Sequence, residues 1–190
     1  RDGLSANRID RIEGILNGTS NYILSAMERS GEDFGETLAE AQRLGYAEAD
    51  PALDVDGGDA AHKLAILAAL GFGLRPDFAG VEVNGIRDVR AADIAQAERL
   101  GYKIRLVAMA DMVDRPGEAP ALLQRVRPCL LPADHLLAGI DGPTNAVLTL
   151  GDQSGPILIQ GAGAGSAATA SGIVADVVAL ARGQARAPLA

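Results

Sequence analysis

Residues Lys103–Val113, KIRLVAMADMV, and Leu122–Leu131, LLQRVRPCLL, carry the β-branched and apolar density of two strands, and Asp114-Arg115-Pro116-Gly117 between them reads as a turn. An antiparallel pair is the simplest arrangement of two such runs. Upstream, Ala91–Leu100 suits a helix, and residues 8–16 alternate Ile9, Ile12, Ile15 and Leu16 with charges before Asn17-Gly18-Thr19, a strand running into a turn with Thr19 as expected N-cap. Helical spacing then predicts Ser20–Arg29 with Gly31 as stop, Glu36–Leu44 with Gly45 as terminator, and an apolar helix Ala60–Leu70 ending at Gly71. The intervening 46–59, with one proline and two glycines, is expected to be irregular. Downstream, Asn145–Leu150 and Pro156–Gln160 read as strands around Gly151-Asp152, and Gly161–Gly165 leads into a helix from about Thr169 to Arg182. These elements predict an α+β fold: a mixed or antiparallel sheet backed by helices, closed by a strand, a glycine turn and a helix.

A chain of 190 residues, 48% hydrophobic and 22% charged, can bury one substantial core. No apolar stretch is long enough for a bilayer, so no membrane partner is expected. The net charge of -8 without a basic cluster argues against nucleic acid. One cysteine, Cys129, in an apolar run, reads as a small buried hydrophobe, and the lack of a disulfide framework or signal peptide points to the cytoplasm. The start at Arg1 suggests a segment of a longer protein.

Chemistry concentrates where the acidic loop enters the third helix. Glu48, Asp50, Asp54, Asp56 and Asp59 crowd within twelve residues, so a cation is expected beside them. Lys63 lies one helical turn beyond Asp59 on the same face, and the two form either an ordinary solvated ion pair at a helix start or the rim of a polar pocket. A calcium loop fails, because Asp59 stands where the EF-hand needs glycine and Ala65 where it needs glutamate. His62 and His135 are far apart and there is no cysteine pair, so no metal is expected. The glycines at 163 and 165 have the spacing of a dinucleotide turn, but a helix packed closely on a sheet explains them equally well.

Three long runs, Ile12–Leu24, Glu40–Pro51 and Asp59–Leu67, occur in the order in which homoserine dehydrogenases carry them, and Gly142–Val147 and Gly161–Asp176 match that family's return segment. The chain therefore resembles homoserine dehydrogenase over nearly its whole length. The resemblance implies interconversion of L-homoserine and L-aspartate 4-semialdehyde with NADP or NAD, on the route to threonine, isoleucine and methionine, in a homodimer. It makes Lys63 the acid/base at the alcohol oxygen and Asp59 its orienting carboxylate. Glu48 and Asp54 face the substrate's amino and hydroxyl ends, Tyr46, Gly18 and Thr19 help hold the amino acid, and Gly165 approaches the cofactor. It divides the chain into a substrate-binding and dimerisation part, 1–150, and a return segment, 151–190, that completes a nucleotide-binding domain whose main part lies elsewhere. The homodimer is expected through the outer face of Lys103–Leu131, which reads as poor in charge. Leu136 after His135, and Ala167-Ala168 before Thr169, replace prolines usual in the family. A binding module without catalysis, and a dehydrogenase of a related amino-acid aldehyde, are the alternatives.

Overall fold

The structure, a computed structural model, describes residues 2–114, 116–117 and 119–184; Arg1, Arg115 of the expected turn and the 185–190 end lie outside them. Strands β1 (Ile9–Ile15), β2 (Val81–Val83), β3 (Tyr102–Val113), β4 (Ala121–Pro132), β5 (Thr144–Gly151) and β6 (Gly155–Ala162) form one sheet in the order 2-4-3-1-5-6. Only β2 with β4 is parallel, so the sheet is mixed. Helices α1 (Gly18–Ser30), α2 (Phe34–Arg43), α3 (Ala52–Val55), α4 (Gly58–Phe72), α5 (Ala91–Arg99) and α6 (Ser166–Ala181) complete the fold.

The period of two in β3 sorts its side chains. Ile104, Leu106, Ala108 and Ala110 join Ile12 of β1 and Val126 of β4 in the core against α4, whose Ala60, Ala61, Leu64 and Ala68 let helix and sheet approach closely. Full burial of each Ile, Leu or Val contributes about 1.5–3 kcal/mol. On the other face Ile15, Val107, Leu131 and Leu148 pack under Leu137, Ala138 and Ile140 of the loop after β4. Arg105, wholly buried, holds that loop: it donates to the Ala138 and Ile140 carbonyls and pairs with Asp141 at 2.6 Å and Glu28 at 2.8 Å.

Several sequence expectations need correction. The outer face of β3 and β4 is not poor in charge: Asp111, Arg125 and Arg127 lie on it, and neighbouring Arg11 of β1 pairs with Asp111 and with Glu13. The acidic stretch is not wholly irregular, because Asp50 and Pro51 start a helical turn: the Asp50 carboxylate accepts from the Ala52 N–H at 3.1 Å, and α3 follows with Val55 fully buried. Helix α4 runs through Gly71 to Phe72. A Cβ at Gly71 would meet Ile12 Cδ1 at 2.5 Å, so this glycine serves close packing, and Gly73, at φ 69°, is the left-handed cap that ends the helix. Strand β2 is absent from the sequence reading.

Candidate active site

At the end of β1 the chain turns into α1, and this junction organises the site. The N-cap is Asn17 rather than Thr19: its Oδ1 accepts from the Ser20 N–H at 2.8 Å. That leaves its amide to donate outward, and Nδ2 lies 2.6 Å from Asp54 Oδ1 and 2.9 Å from Asp59 Oδ2. One neutral amide thus holds two carboxylates that would otherwise repel. They meet because Gly57, at φ 86°, reverses the chain between α3 and α4, a conformation other residues adopt only with strain. Ser20 Oγ adds a bond to the Asp54 carbonyl at 2.9 Å.

Asp59 lies in the first turn of α4, where the helix dipole favours its charge. Lys63, four residues on, donates to Asp59 Oδ2 at 2.7 Å and to the Leu16 carbonyl at 3.0 Å. An ammonium has three N–H groups, so one remains for a ligand, and the side chain is 44% exposed. The arrangement presents a proton donor held by a carboxylate and a carbonyl beside a second carboxylate.

Thr19 Oγ1 donates to the Tyr46 carbonyl at 3.0 Å, and the half-exposed Tyr46 ring stacks on Tyr22 with centroids 4.2 Å apart. Glu48 is exposed: its backbone carbonyl accepts from Gln42, while its carboxylate reaches no partner among the described residues. Gly18 faces the loop after β4, where a Cβ would meet the Pro143 carbonyl oxygen at 2.8 Å. Gly165 caps α6 at φ 107° in open space. Gly163 instead packs on Asn145, whose Nδ2 also donates to the Leu16 carbonyl, at 3.3 Å.

The structure therefore gathers Lys63, Asp59 and Asp54 around the Leu16-Asn17 junction, with Gly18, Thr19 and Tyr46 along α1. The sequence reading missed Asn17, Asn145 and Arg87. Asn before Gly-Thr at a strand end is a cap signal that favours position 17. Nothing local marks Asn145. Arg87 pairs with Asp56, and this hydrogen bond holds the Asp56 carboxyl below its ordinary range, so the acidic stretch has two cations. The cluster opens onto the surface, while clefts of about 540 Å³ lie elsewhere, one lined by Ile9, Ile12, Leu67 and Phe72, another by Asp141, Thr144 and Gln160. Among the described residues no His, Cys, Asp and Glu group could hold a metal, and no helix is long and apolar enough to cross a membrane.

The sequence model of the family described as homoserine dehydrogenase matches residues 1–178. A homoserine dehydrogenase of Synechocystis is 54% identical over 179 residues, 94% of this chain and 41% of its own length. That of Pseudomonas aeruginosa is 49% identical over 94% of this chain and 40% of its own length. In three dimensions a homoserine dehydrogenase from Thiobacillus denitrificans superposes with a TM-score of 0.91 at 47% identity, over 99% of this chain and 44% of that one. A hyperthermophilic archaeal homoserine dehydrogenase in complex with NADPH gives 0.79 at 29% identity, over 100% of this chain and 52% of that one. The chain spans about two fifths of the length of the curated relatives it matches, and over that span it belongs to the homoserine dehydrogenase family.

Proposed function

We propose that this chain carries the substrate-holding part of an enzyme that interconverts L-homoserine and L-aspartate 4-semialdehyde, in the biosynthesis of threonine, methionine and isoleucine. The observation that carries this reading is the Lys63 ammonium, fixed by Asp59 Oδ2 and the Leu16 carbonyl with one N–H left over. An aldehyde that gains hydride becomes an alkoxide and needs a proton, and an alcohol that loses hydride must give one up. Lys63 donates and recovers that proton, and Asp59 keeps the ammonium in place. Glu48 and Asp54 supply negative charge for the substrate's ammonium and hydroxyl ends, in that order, with Gly18, Thr19 and Tyr46 bounding the amino acid.

A nicotinamide dinucleotide, NAD or NADP, supplies or accepts the hydride when bound. The chain's contribution to holding it is the turn 161–165: Gly165 stands in open space at the start of α6, so backbone can approach a bulky group there. The remainder of the nucleotide site belongs to a separate domain. Helix α6 has no buried residue, and Ile173, Val174, Val177, Val178 and Leu180 stand exposed, the signature of a helix that another domain covers. Segment 151–190 completes that domain, and 1–150 is the substrate-binding and dimerisation part.

The test is steady-state kinetics of the whole enzyme with a panel of amino-acid alcohols. Homoserine should be oxidised with NAD or NADP, and Lys63→Ala should lower turnover by roughly 10²–10⁴-fold, the weight of one positioned acid/base group. Its KM for the dinucleotide should stay the same. Near-normal turnover in that variant would return Asp59 and Lys63 to an ordinary ion pair.

A further inference from the structure

Asn145, the second residue of β5, lies 129 positions from Leu16, yet Lys63 and Asn145 share the Leu16 carbonyl as acceptor, at 3.0 and 3.3 Å. A carbonyl oxygen has two lone pairs, and here both are taken, one by the ammonium and one by the amide. The Asn145 carboxamide is sandwiched between two glycines. A Cβ at Gly18 would come within 3.5 Å of its Oδ1, and a Cβ at Gly163 would run into its Nδ2 and meet its Cγ at 2.6 Å. Any side chain at Gly163 would displace the amide that fixes the Leu16 carbonyl. The orientation of the amide follows from Leu16: turned over, it would set oxygen against oxygen. In the orientation observed, Oδ1 is buried without a partner. A buried orphan acceptor is a cost to folding that an apolar side chain of the same size would avoid, and what this asparagine offers in its place is the Nδ2 donor to Leu16.

We propose that Asn145 is a positioning residue for Lys63. By holding the same Leu16 carbonyl as the ammonium, it fixes where the lysine head group stands, and by packing on Gly163 it sets the glycine turn 161–165 in register with that head group. The proposal rests on the reading of Lys63 as the acid/base group. The geometry explains why Gly163, whose neighbour Gly165 is unobstructed, has no room for a side chain. It also separates two glycines that the sequence presents alike: Gly163 serves the lysine anchor and Gly165 the approach of the dinucleotide.

The experiment is a double-substitution cycle in the whole enzyme. Asn145→Leu keeps the bulk of the side chain and removes both the donor and the orphan acceptor. Its kcat should fall about tenfold, since a small misplacement of an acid/base group is felt directly in the reacting step. KM for homoserine and for the dinucleotide should stay within about twofold, because the side chains assigned to hold them are unchanged. In a Lys63→Ala background the same substitution should change kcat no further. Amide hydrogen exchange at Asn17, Gly18 and Gly163 should quicken, while the thermal midpoint stays level or rises. Should Asn145→Leu fail to fold, Asn145→Asp, which keeps the shape and lacks the donor, carries the same expectations for kcat and exchange. An unchanged kcat, or an equal loss with and without Lys63, would overturn the assignment. A wild-type enzyme that turns over no homoserine overturns the Lys63 reading itself, and a rise confined to the dinucleotide KM would leave Asn145 as support for the turn alone and overturn its tie to Lys63.

Discussion

Replacing Asn17 should reveal how the two carboxylates are kept together. Asn17→Ala removes the cap on α1, worth about 1 kcal/mol, and both amide bonds to Asp54 and Asp59. Hydrogen bonds to charged groups contribute about 1.5–3 kcal/mol when well buried; Asp59 is 25% exposed, so each counts here for nearer about 1 kcal/mol. The expected loss is about 3 kcal/mol, which at urea slopes of about 1–3 kcal/mol/M moves the midpoint by about 1 M or more. Asn17→Ser keeps an acceptor for the cap and should lose about 2 kcal/mol. Asn17→Asp also keeps the cap but puts a third carboxylate between two others. A carboxyl among carboxylates titrates higher in the folded state than in the unfolded one. Its penalty is therefore full above that range and fades as pH falls through it. Urea unfolding of the three variants at pH 7 and pH 5 gives the comparison. An Asn17→Ala chain within about 0.5 kcal/mol of the parent, or an Asn17→Asp chain equally stable at both pH values, would refute the bridging role.

Glu48→Ala in the whole enzyme should raise KM for homoserine with little change in kcat, since a countercharge acts equally in ground and transition states; a fall in kcat alone would contradict this. Arg105→Ala should cost about 3 kcal/mol or more by removing a wholly buried cation with its pairs to Glu28 and Asp141, and Arg105→Met, which keeps most of the bulk but not the charge, should cost nearly as much; a Met variant close to the parent, read by denaturant midpoints, would contradict the ion-pair account. Burial raises the Glu28 carboxyl, but hydrogen bonds from Lys103 and Arg105 outweigh it and leave the group below its ordinary value. Its contribution is thus present above the unfolded value and lost as pH falls through the folded one, so the parent should lose its advantage over Glu28→Gln below about pH 4.5. The whole enzyme should sediment as a homodimer, with the charged and apolar face of β1, β3 and β4 covered; a monomer at micromolar concentration removes that claim.

How much was legible follows from how local each signal is. Strands β3 and β4 announce themselves because apolar and β-branched residues recur over twelve positions, with Lys103, Arg105, Asp111, Arg125 and Arg127 confined to one face. Strand β2, three residues long and paired in parallel at the sheet edge, has too few residues for any period to show. Gly71 and Gly73 look alike in sequence, and only the approach of Ile12 makes the first a packing glycine and the second a cap. Asp59 and Lys63 could be paired from their spacing of four. Asp54 joins them through Gly57, whose left-handed turn no pattern specifies, and Asn17 and Asn145 join through tertiary contacts 37 to 129 residues apart. The helical spacing that marked α6 carried no sign that it is bare on all sides.

The central place of β1 sets the order in which the molecule can be made. Glu13 of β1 is flanked by Met109 on one side and Leu148 on the other, both far downstream in sequence. At roughly 5–20 residues per second, synthesis from Ile15 to Gly151 takes on the order of 7–27 s. Neither edge of β1 can pair until β3 is made, and the edge that β5 takes stays open to the end of the interval, while Asp10, Arg11 and Glu13 within β1 discourage pairing with other nascent copies. Helices can form meanwhile. The Leu16-Asn17 junction lacks its Asn145 contact until β5 is made, so the site from which Lys63 would act is completed only after the helices that carry most of it, and a chain stopped before Asn145 cannot hold it fully.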